Sequence, residues 1–328
     1  MPTLYLTTPG ACLAARSQTL VVRRRGHPSQ RVPLLAIERV AVLAPTQLTS
    51  AALAMCARHQ IEIVVVCGRR PPPVMVRLCT SEAGLALRGA QFRAAADPAF
   101  TLGLARTVVA GKIRNQRRYL QRSRTGGETT GARAALQELL DRVETAETLN
   151  QLRGIEGQAS AVYFGGLRSL VNPEYGFETR NRRPPRDPAN ALLSFAYTLL
   201  TSEATAYLAA NGLEPALGFF HEPHRGRPSL ALDLVEEFRT PVADALVVQV
   251  CSRRIVRPAE FRPGPNGGVR MSPAARRRFI QAYESKMDGP FNERSGEQTT
   301  LRAALRRQAE RLTLTIGTGE PYVPFELP

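Results

Sequence analysis

The stretch from Gly218 to Arg239 reads GFFHEPHRGRPSLALDLVEEFR, and it holds the residues whose types and spacing best suit chemistry. A histidine, His221, follows two phenylalanines; Asp233 comes twelve residues later and Glu236 three beyond that. Carboxylates three apart on a helix share a face and can bind one cation together. The turn EPHRGRP can fold back and bring His221 over that helix, whereas His224 reads as an exposed loop residue. Oxygen ligands with a single imidazole suit Mn2+ or Mg2+ better than a structural zinc. A second reading competes. On a helical wheel Ala231, Leu234, Val235 and Phe238 gather on one side, and Asp233, Glu236 and Glu237 fall opposite. A solvated acidic face accounts for that pattern without any function, and the spacing does not choose between Glu236 and Glu237.

Glu156 is a third candidate. It lies in LRGIEGQASAVYF, beside the apolar stripe Leu149, Leu152, Ile155, Ala159, Val162, with Gly154 and Gly157 close on either side. Each glycine costs a helix interior roughly 1 kcal/mol relative to alanine. Close approach of a partner or ligand would offset that cost; a helix–helix contact with a glutamate at its rim would do so equally. The segment AGKI at 110–113 is not a phosphate-binding loop, because position 106 is arginine rather than glycine and the surroundings read as helix interior.

These residues need elements to hold them. Residues 3–90 carry short β-branched or alternating runs, TLYL, TLVVRR, AIERVAVL, IEIVVVC and VMVRLC, separated by turn signals and interrupted by one helix, AALAMCARH, capped by Thr49 or Ser50. From about residue 93 the pattern turns helical, with AAADPAF as a linker. Helices are expected over 101–122, over 134–167, over 191–212 with an Asn211-Gly212 end, from Ser229, over 270–287 and over 299–316. FRPGPNGG reads as a loop. The expected fold class is α+β in two domains: a small β-rich N-terminal domain (1–92) and a larger, all-α catalytic domain (93–328) that carries every candidate above.

The chain has 328 residues, 43% of them hydrophobic, a net charge of +16 and a pI of about 10.7. Global disorder is excluded, and polyanionic partners are favoured. Nearly all the positive charge is arginine; Lys112 and Lys286 are the only lysines. Arginine's planar fork suits phosphate, although a GC-rich genome accounts for much of the Arg/Lys ratio. Basic clusters include Arg23–Arg25, Arg114/Arg117/Arg118/Arg122, Arg180/Arg182/Arg183/Arg186, Arg253/Arg254 and Arg276–Arg278. Five scattered cysteines without zinc spacing, no signal peptide and no apolar run long enough to span a bilayer point to a soluble protein of a reducing cytoplasm.

Four stretches in this order, VAGKIRNQRRYL (109–120), RGIEGQASAVYF (153–164), RRPPRDPANALLSFAYTLL (182–200) and GFFHEPHRGRPSLALDLVEEFR (218–239), resemble the CRISPR-associated integrase/endonuclease family of spacer acquisition, "Cas-one" (Cas1), along nearly the whole chain. The resemblance implies a metal-dependent prokaryotic enzyme of antiviral defence. It would insert spacers into a CRISPR array through attack of a DNA 3′-OH on a repeat phosphodiester, and cut DNA when water attacks instead. Glu156, His221 and the Asp233/Glu236 pair match the family's ligands for Mn2+ or Mg2+; which carboxylate of the pair ligates directly stays open. It also implies a homodimer, with the N-terminal domain serving dimerisation and DNA contacts, and two such dimers flanking a dimer of the companion "Cas-two" protein (Cas2). Protospacer and repeat would be double-stranded DNA, with Tyr163, Tyr197, Arg114, Arg118, Arg183 and Arg186 as expected contacts. A related casposon-type transposon integrase and a non-catalytic, architectural DNA-binding protein are the alternatives. An RNA-binding role is disfavoured by the absence of an RNP-like aromatic strand and of tryptophan.

Overall fold

The structure, a computed structural model, describes residues 3–59, 61–66, 74–76, 82–122, 129–181, 184–224, 226–294 and 296–328. The N-terminal part is two four-stranded sheets. One, in the order β1 (Thr3–Leu6), β5 (Arg39–Val42), β7 (Glu62–Val65), β8 (Val74–Val76), is parallel except for β8. The other runs β4 (His27–Pro33), β3 (Thr19–Arg24), β2 (Ala11–Arg16), β6 (Thr46–Leu48), with only the β2–β6 pair parallel. Their shared core is Leu6, Leu13, Leu20, Val40, Val42 and Ile63, closed by Ala52 and Cys56 of α1 (Ser50–Arg58). Thr49 caps α1 through its side chain, as expected. All four residues of β5 are buried, the mark of a parallel strand covered on both faces.

The rest is mainly helical: α2 (Glu82–Ala96), α3 (Pro98–Gln121), α4 (Thr130–Glu144), α5 (Leu149–Arg168), α6 (Pro188–Ala210), α7 (Ser229–Val235), α8 (Ala245–Ser252), α9 (Pro273–Asp288) and α10 (Leu301–Thr318). Three expectations are corrected. The AAADPAF linker is a helix junction, where Asp97 accepts from the N–H groups of Ala99 and Phe100 to cap α3 directly after α2. The boundary at 92/93 therefore falls inside α2, whose Gln91 is buried and donates to the carbonyls of Glu214 and Leu217 in the helical part. And that part is not all-α: it holds two hairpins, β9 (Phe261–Pro263) with β10 (Val269–Met271), and β11 (Pro290–Asn292) with β12 (Gln298–Thr300). The first of these occupies the expected FRPGPNGG loop. Asn211-Gly212 ends α6 as expected, with Gly212 in the left-handed region at φ 86°.

The β-rich and helical parts meet through buried charge. Arg39 of β5 donates to Glu203 of α6 at 2.5 Å, and Arg302 of α10 reaches the same oxygen at 2.7 Å. Arg302 also pairs with Glu284 at 3.0 Å and Asp288 at 2.8 Å, while the Tyr5 hydroxyl donates to Glu284 at 2.6 Å. A carboxylate 1% exposed between two guanidiniums satisfies both. Removing it leaves two buried charges without compensation. Glu203→Gln is expected to lower the unfolding free energy by roughly 3–5 kcal/mol, measured by urea titration; an unchanged midpoint would show that this joint contributes nothing.

Candidate active site

The site forms where α3, α5 and α7 meet the loop 218–228. Asp233 on α7 knits that loop. Its Oδ2 accepts the backbone N–H of Phe219 at 2.7 Å and of Phe220 at 3.1 Å; its Oδ1 accepts the N–H of His221 at 2.9 Å and lies 2.7 Å from His221 Nδ1. The fold-back expected of the turn is therefore real, and a carboxylate drives it. The space is fully used: a Cβ on Gly218 would stand 2.7 Å from the His221 carbonyl and 2.9 Å from Asp233 Oδ2. With Nδ1–H given to Asp233, Nε2 of His221 presents its lone pair toward Glu236, whose Oε1 is 3.7 Å away.

Glu236 and Glu156 converge from different helices on one positive charge. Lys112 Nζ lies 2.7 Å from Glu236 Oε2 and is also paired with Glu156 Oε1. Arg239 binds the other oxygen of Glu236 at 2.9 Å, and Ser160 donates to Glu156 at 2.9 Å. Burial alone would raise the Glu236 carboxyl, but Arg239, then Lys112 and His221, hold it down at about 2. Burial opposes ionisation of Glu156 as well, and Lys112 again outweighs it, so its pKa lies below the ordinary value. Gly154 and Gly157 resolve differently from a tight contact. A Cβ at either meets nothing within 4 Å, so the helix surface flanking Glu156 is bare. Among the described residues no three His, Cys, Asp or Glu side chains stand grouped at metal-ligand spacing; the cation shared by the two carboxylates is Lys112.

The acidic side of α7 is not solvated. Asp233, Glu236 and Glu237 are 3%, 2% and 0% exposed. Glu237 points away from the other site residues: it accepts from the Tyr322 hydroxyl and the Phe325 N–H at 2.5 Å each and from Gln308 at 3.0 Å. Those contacts strap the segment 319–328 across α3. There Asn115 donates to the carbonyls of Glu237 and Phe325 and accepts from the Leu327 N–H, and a Cβ on Gly111 would stand 2.8 Å from Pro324. AGKI is helix interior, as expected.

A second layer lies behind Arg239. After α7 the chain widens into a single π turn, Arg239–Asp244, containing Pro241. Asp244 accepts from the hydroxyls of Tyr163 at 2.9 Å and Tyr197 at 2.5 Å, and Arg239 and Arg180 flank the Tyr197 ring at 5.1 and 5.2 Å. Tyr163 is wholly buried, so its expected DNA contact is corrected: its ring is core. Arg114 and Arg118 are likewise not free for a strand, since both pair with Glu326, at 3.1 and 2.9 Å. Tyr197 is half-buried, Arg186 is exposed, and Arg183 lies outside the described residues. Lys112, Arg239 and Asp244 were not singled out as site residues beforehand. One signal existed for the first: a lysine within the apolar run TVVAGKI, in a chain that otherwise uses arginine.

With this geometry in place, the relatives decide the family. The profile described as "CRISPR associated protein Cas1" matches residues 4–285. The chain belongs to the Cas1 family. It is 36% identical to CRISPR-associated endonuclease Cas1 1 of Thermus thermophilus over 336 residues, 99% of both chains. It is 35% identical to a CRISPR-associated exonuclease Cas4/endonuclease Cas1 fusion of Rhodospirillum rubrum over 99% of its own length, spanning 57% of that longer protein. Membership makes the chain a CRISPR-associated endonuclease of integrase type, as the motifs implied. The fold is that of a Cas1 protein from Thermotoga maritima (TM-score 0.82, 23% identity, 96% and 97% of the two chains covered). It is equally that of a casposase bound to integration product (TM-score 0.86, 19% identity, 100% and 94% covered). No helix among the described residues is long and apolar enough to cross a membrane.

Burial pushes the Glu237 carboxyl up to about 7, against its three hydrogen bonds. A carboxyl whose folded pKa is raised stabilises the fold while protonated; that contribution is complete below the unfolded value near 4.5 and is lost as pH rises through about 7. Between pH 5 and 8 the wild type is expected to lose roughly 3 kcal/mol from this group, and Glu237→Gln to lose none of it, read by thermal melts across pH. Parallel melting profiles would remove Glu237 as the cause.

Proposed function

We propose that Glu156, Glu236 and His221 Nε2 hold one divalent ion, Mn2+ or Mg2+, in a centre that joins a DNA 3′-OH to a phosphodiester of duplex DNA. The observation that carries this reading is the convergence of two carboxylates, from α5 and from the end of α7, on a single positive charge beside a histidine whose other nitrogen is fixed by Asp233. Hard oxygen donors with one imidazole fit such an ion. Bound there, it would supply Lewis-acid polarisation of the phosphate and stabilise the leaving 3′ oxygen. Asp233 is the positioning carboxylate rather than a ligand, because both of its oxygens are already occupied by the loop. Lys112 and Arg239 hold Glu236 ionised and aimed. No covalent nucleophile is needed, since phosphoryl transfer calls mainly for positioning and charge stabilisation. The bare surface beside Gly154 and Gly157 gives the strand room to approach Glu156.

The substrates are a double-stranded protospacer and a CRISPR repeat, and the acting assembly is a homodimer with a companion Cas2 dimer. Solved relatives of this fold include a Cas6-RT-Cas1–Cas2 complex, which supports that assembly. The β-rich N-terminal part serves dimerisation and DNA contacts. For the helical part, the backbone of DNA meets the hairpin of β9 and β10. There Arg262 stands directly opposite Arg270, a like-charged cross-strand pair, and neither has a carboxylate partner among the described residues. An anion relieves that repulsion. Arg186 and Tyr197 extend the same basic path.

Strand joining and nicking are assayed with a 3′-OH duplex and supercoiled plasmid in Mn2+, Mg2+ or EDTA. Glu156→Ala, His221→Ala and Glu236→Gln are expected to abolish metal-dependent joining while DNA affinity stays within a few-fold. Asp233→Asn, acting through the loop, is expected to cost roughly 10–100-fold. Full joining by the first three variants would sink the site. DNA binding without chemistry in the wild type, with Cas2 and a repeat present, would favour the architectural alternative. Replacing Arg262 and Arg270 together by alanine is expected to weaken binding and make the salt slope shallower by about 2, since each neutralised phosphate contributes about 0.9 to it; an unchanged slope would take the hairpin off the DNA path.

A further inference from the structure

A cleft of about 390 Å3 opens between the end of α8, the last turn of α9 and β11. Its floor is apolar, formed by Ile255, Phe291 and Leu301, and its polar wall is Gln249, Arg253 and Lys286. No carboxylate lines it. Nearby acids are engaged elsewhere: Glu284 and Asp288 are held by Arg302. Neither Lys286 nor Arg253 has an ion pair among the described residues. Partial burial lowers the Lys286 ammonium from its ordinary pKa, the expected response of a desolvated cation without a counter-charge.

Two cations over an apolar floor define the ligand. A phosphodiester backbone would satisfy the charges and leave Phe291 and Leu301 uncovered. An aliphatic ligand would cover the floor and leave Lys286 and Arg253 unpaired. A peptide bearing an apolar side chain beside a carboxylate does both. The rim supports an extended peptide as well, because β11 pairs with β12 on one side and carries no strand on the other among the described residues. Such an edge offers main-chain hydrogen bonds to an added strand. We propose that this cleft docks an extended acidic segment of a protein partner, with an apolar side chain seated on Phe291 and Leu301 and the neighbouring carboxylate on Lys286 and Arg253. The proposal is independent of the metal centre: its residues share none with the Lys112 cluster.

With only two lysines in the chain, the test is direct. Lysine labelled with 13C at Cε gives side-chain NMR signals for Lys286 and Lys112 alone. Titration with a short peptide of alternating glutamate and leucine is expected to shift the Lys286 signal saturably and leave Lys112 in place. A lysine–leucine peptide of the same length, or a single-stranded oligothymidylate, is expected to do neither. By fluorescence anisotropy, Arg253→Gln and Lys286→Met should each weaken the acidic peptide about tenfold, the effect of removing one charge-assisted hydrogen bond. Circular dichroism and DNA nicking by the isolated chain should match wild type in both. A further variant, Ala282→Trp, fills the cleft and should abolish peptide binding with both charges intact. An acidic peptide that leaves Lys286 unmoved, or equal affinity in all variants, overturns the proposal; a Lys286 shift produced by oligothymidylate instead overturns it in favour of a phosphate site. Loss of nicking in Glu156→Ala with peptide binding kept would separate this cleft from the active site.

Discussion

Three carboxylates within five residues, Asp233, Glu236 and Glu237, are buried around the end of one short helix, and the interior must compensate every one of them. Burying an ionised or polar group without partners costs several kcal/mol. Each carboxylate therefore recruits a different part of the chain. Asp233 gathers the N–H groups of the loop that carries His221. Glu236 draws Lys112 from α3 and Arg239 from the π turn. Glu237 takes Tyr322, Phe325 and Gln308, fixing the 319–328 segment over α3. The elements round the site are in this sense positioned by charge as much as by apolar packing.

The three solutions differ in what they leave available. Asp233 and Glu237 are surrounded by hydrogen-bond donors that belong to the fold, so both act structurally, one on the loop and one on the strap. Glu236 is balanced by cations instead, and it shares Lys112 with Glu156 across two helices. Two carboxylates held ionised side by side store a local preference for positive charge. A metal-assisted phosphoryl transfer needs that preference, and a merely structural pair would gain nothing from it. The 36% identical Cas1 endonuclease agrees with this division of labour at the level of family. The fold alone does not separate Cas1 from casposase, since both have it.

Much of this was legible in the sequence where local rules govern. The helix caps at Thr49 and Asn211-Gly212, the helical span of 101–122 and the fold-back of EPHRGRP follow from short-range chemistry, and the structure contains each. The acidic side of α7 misled, because periodicity records which residues oppose one another and not what covers them; here distant segments, α3 and the 319–328 strap, cover the side that looked wet. The same strap takes Arg114 and Arg118 from the phosphate path, a pairing with Glu326 more than 200 residues away in sequence. Tyr163 sat on an apolar stripe beside Glu156 and read as a DNA contact, yet Asp244 supplied a buried acceptor for its hydroxyl. The two hairpins in the helical part were missed because strands of three residues carry almost no periodic signal.

The same matching of charge bears on the net value of +16. Inside the protein, cations and carboxylates are matched: Arg39 and Arg302 on Glu203, Arg239 and Lys112 on Glu236. The surplus must therefore lie outward, in groups such as Arg186, Arg262 and Arg270. A surplus confined to the surface raises affinity for a polyanion without burdening the core. The cleft of Lys286 and Arg253 departs from both patterns, since its charges are partly desolvated yet meet no internal acid. Surface cations over polar ground suit a phosphate chain that slides past. Cations set above an apolar floor suit a ligand that stays, and they separate a docking function from the DNA-binding one within a single basic molecule.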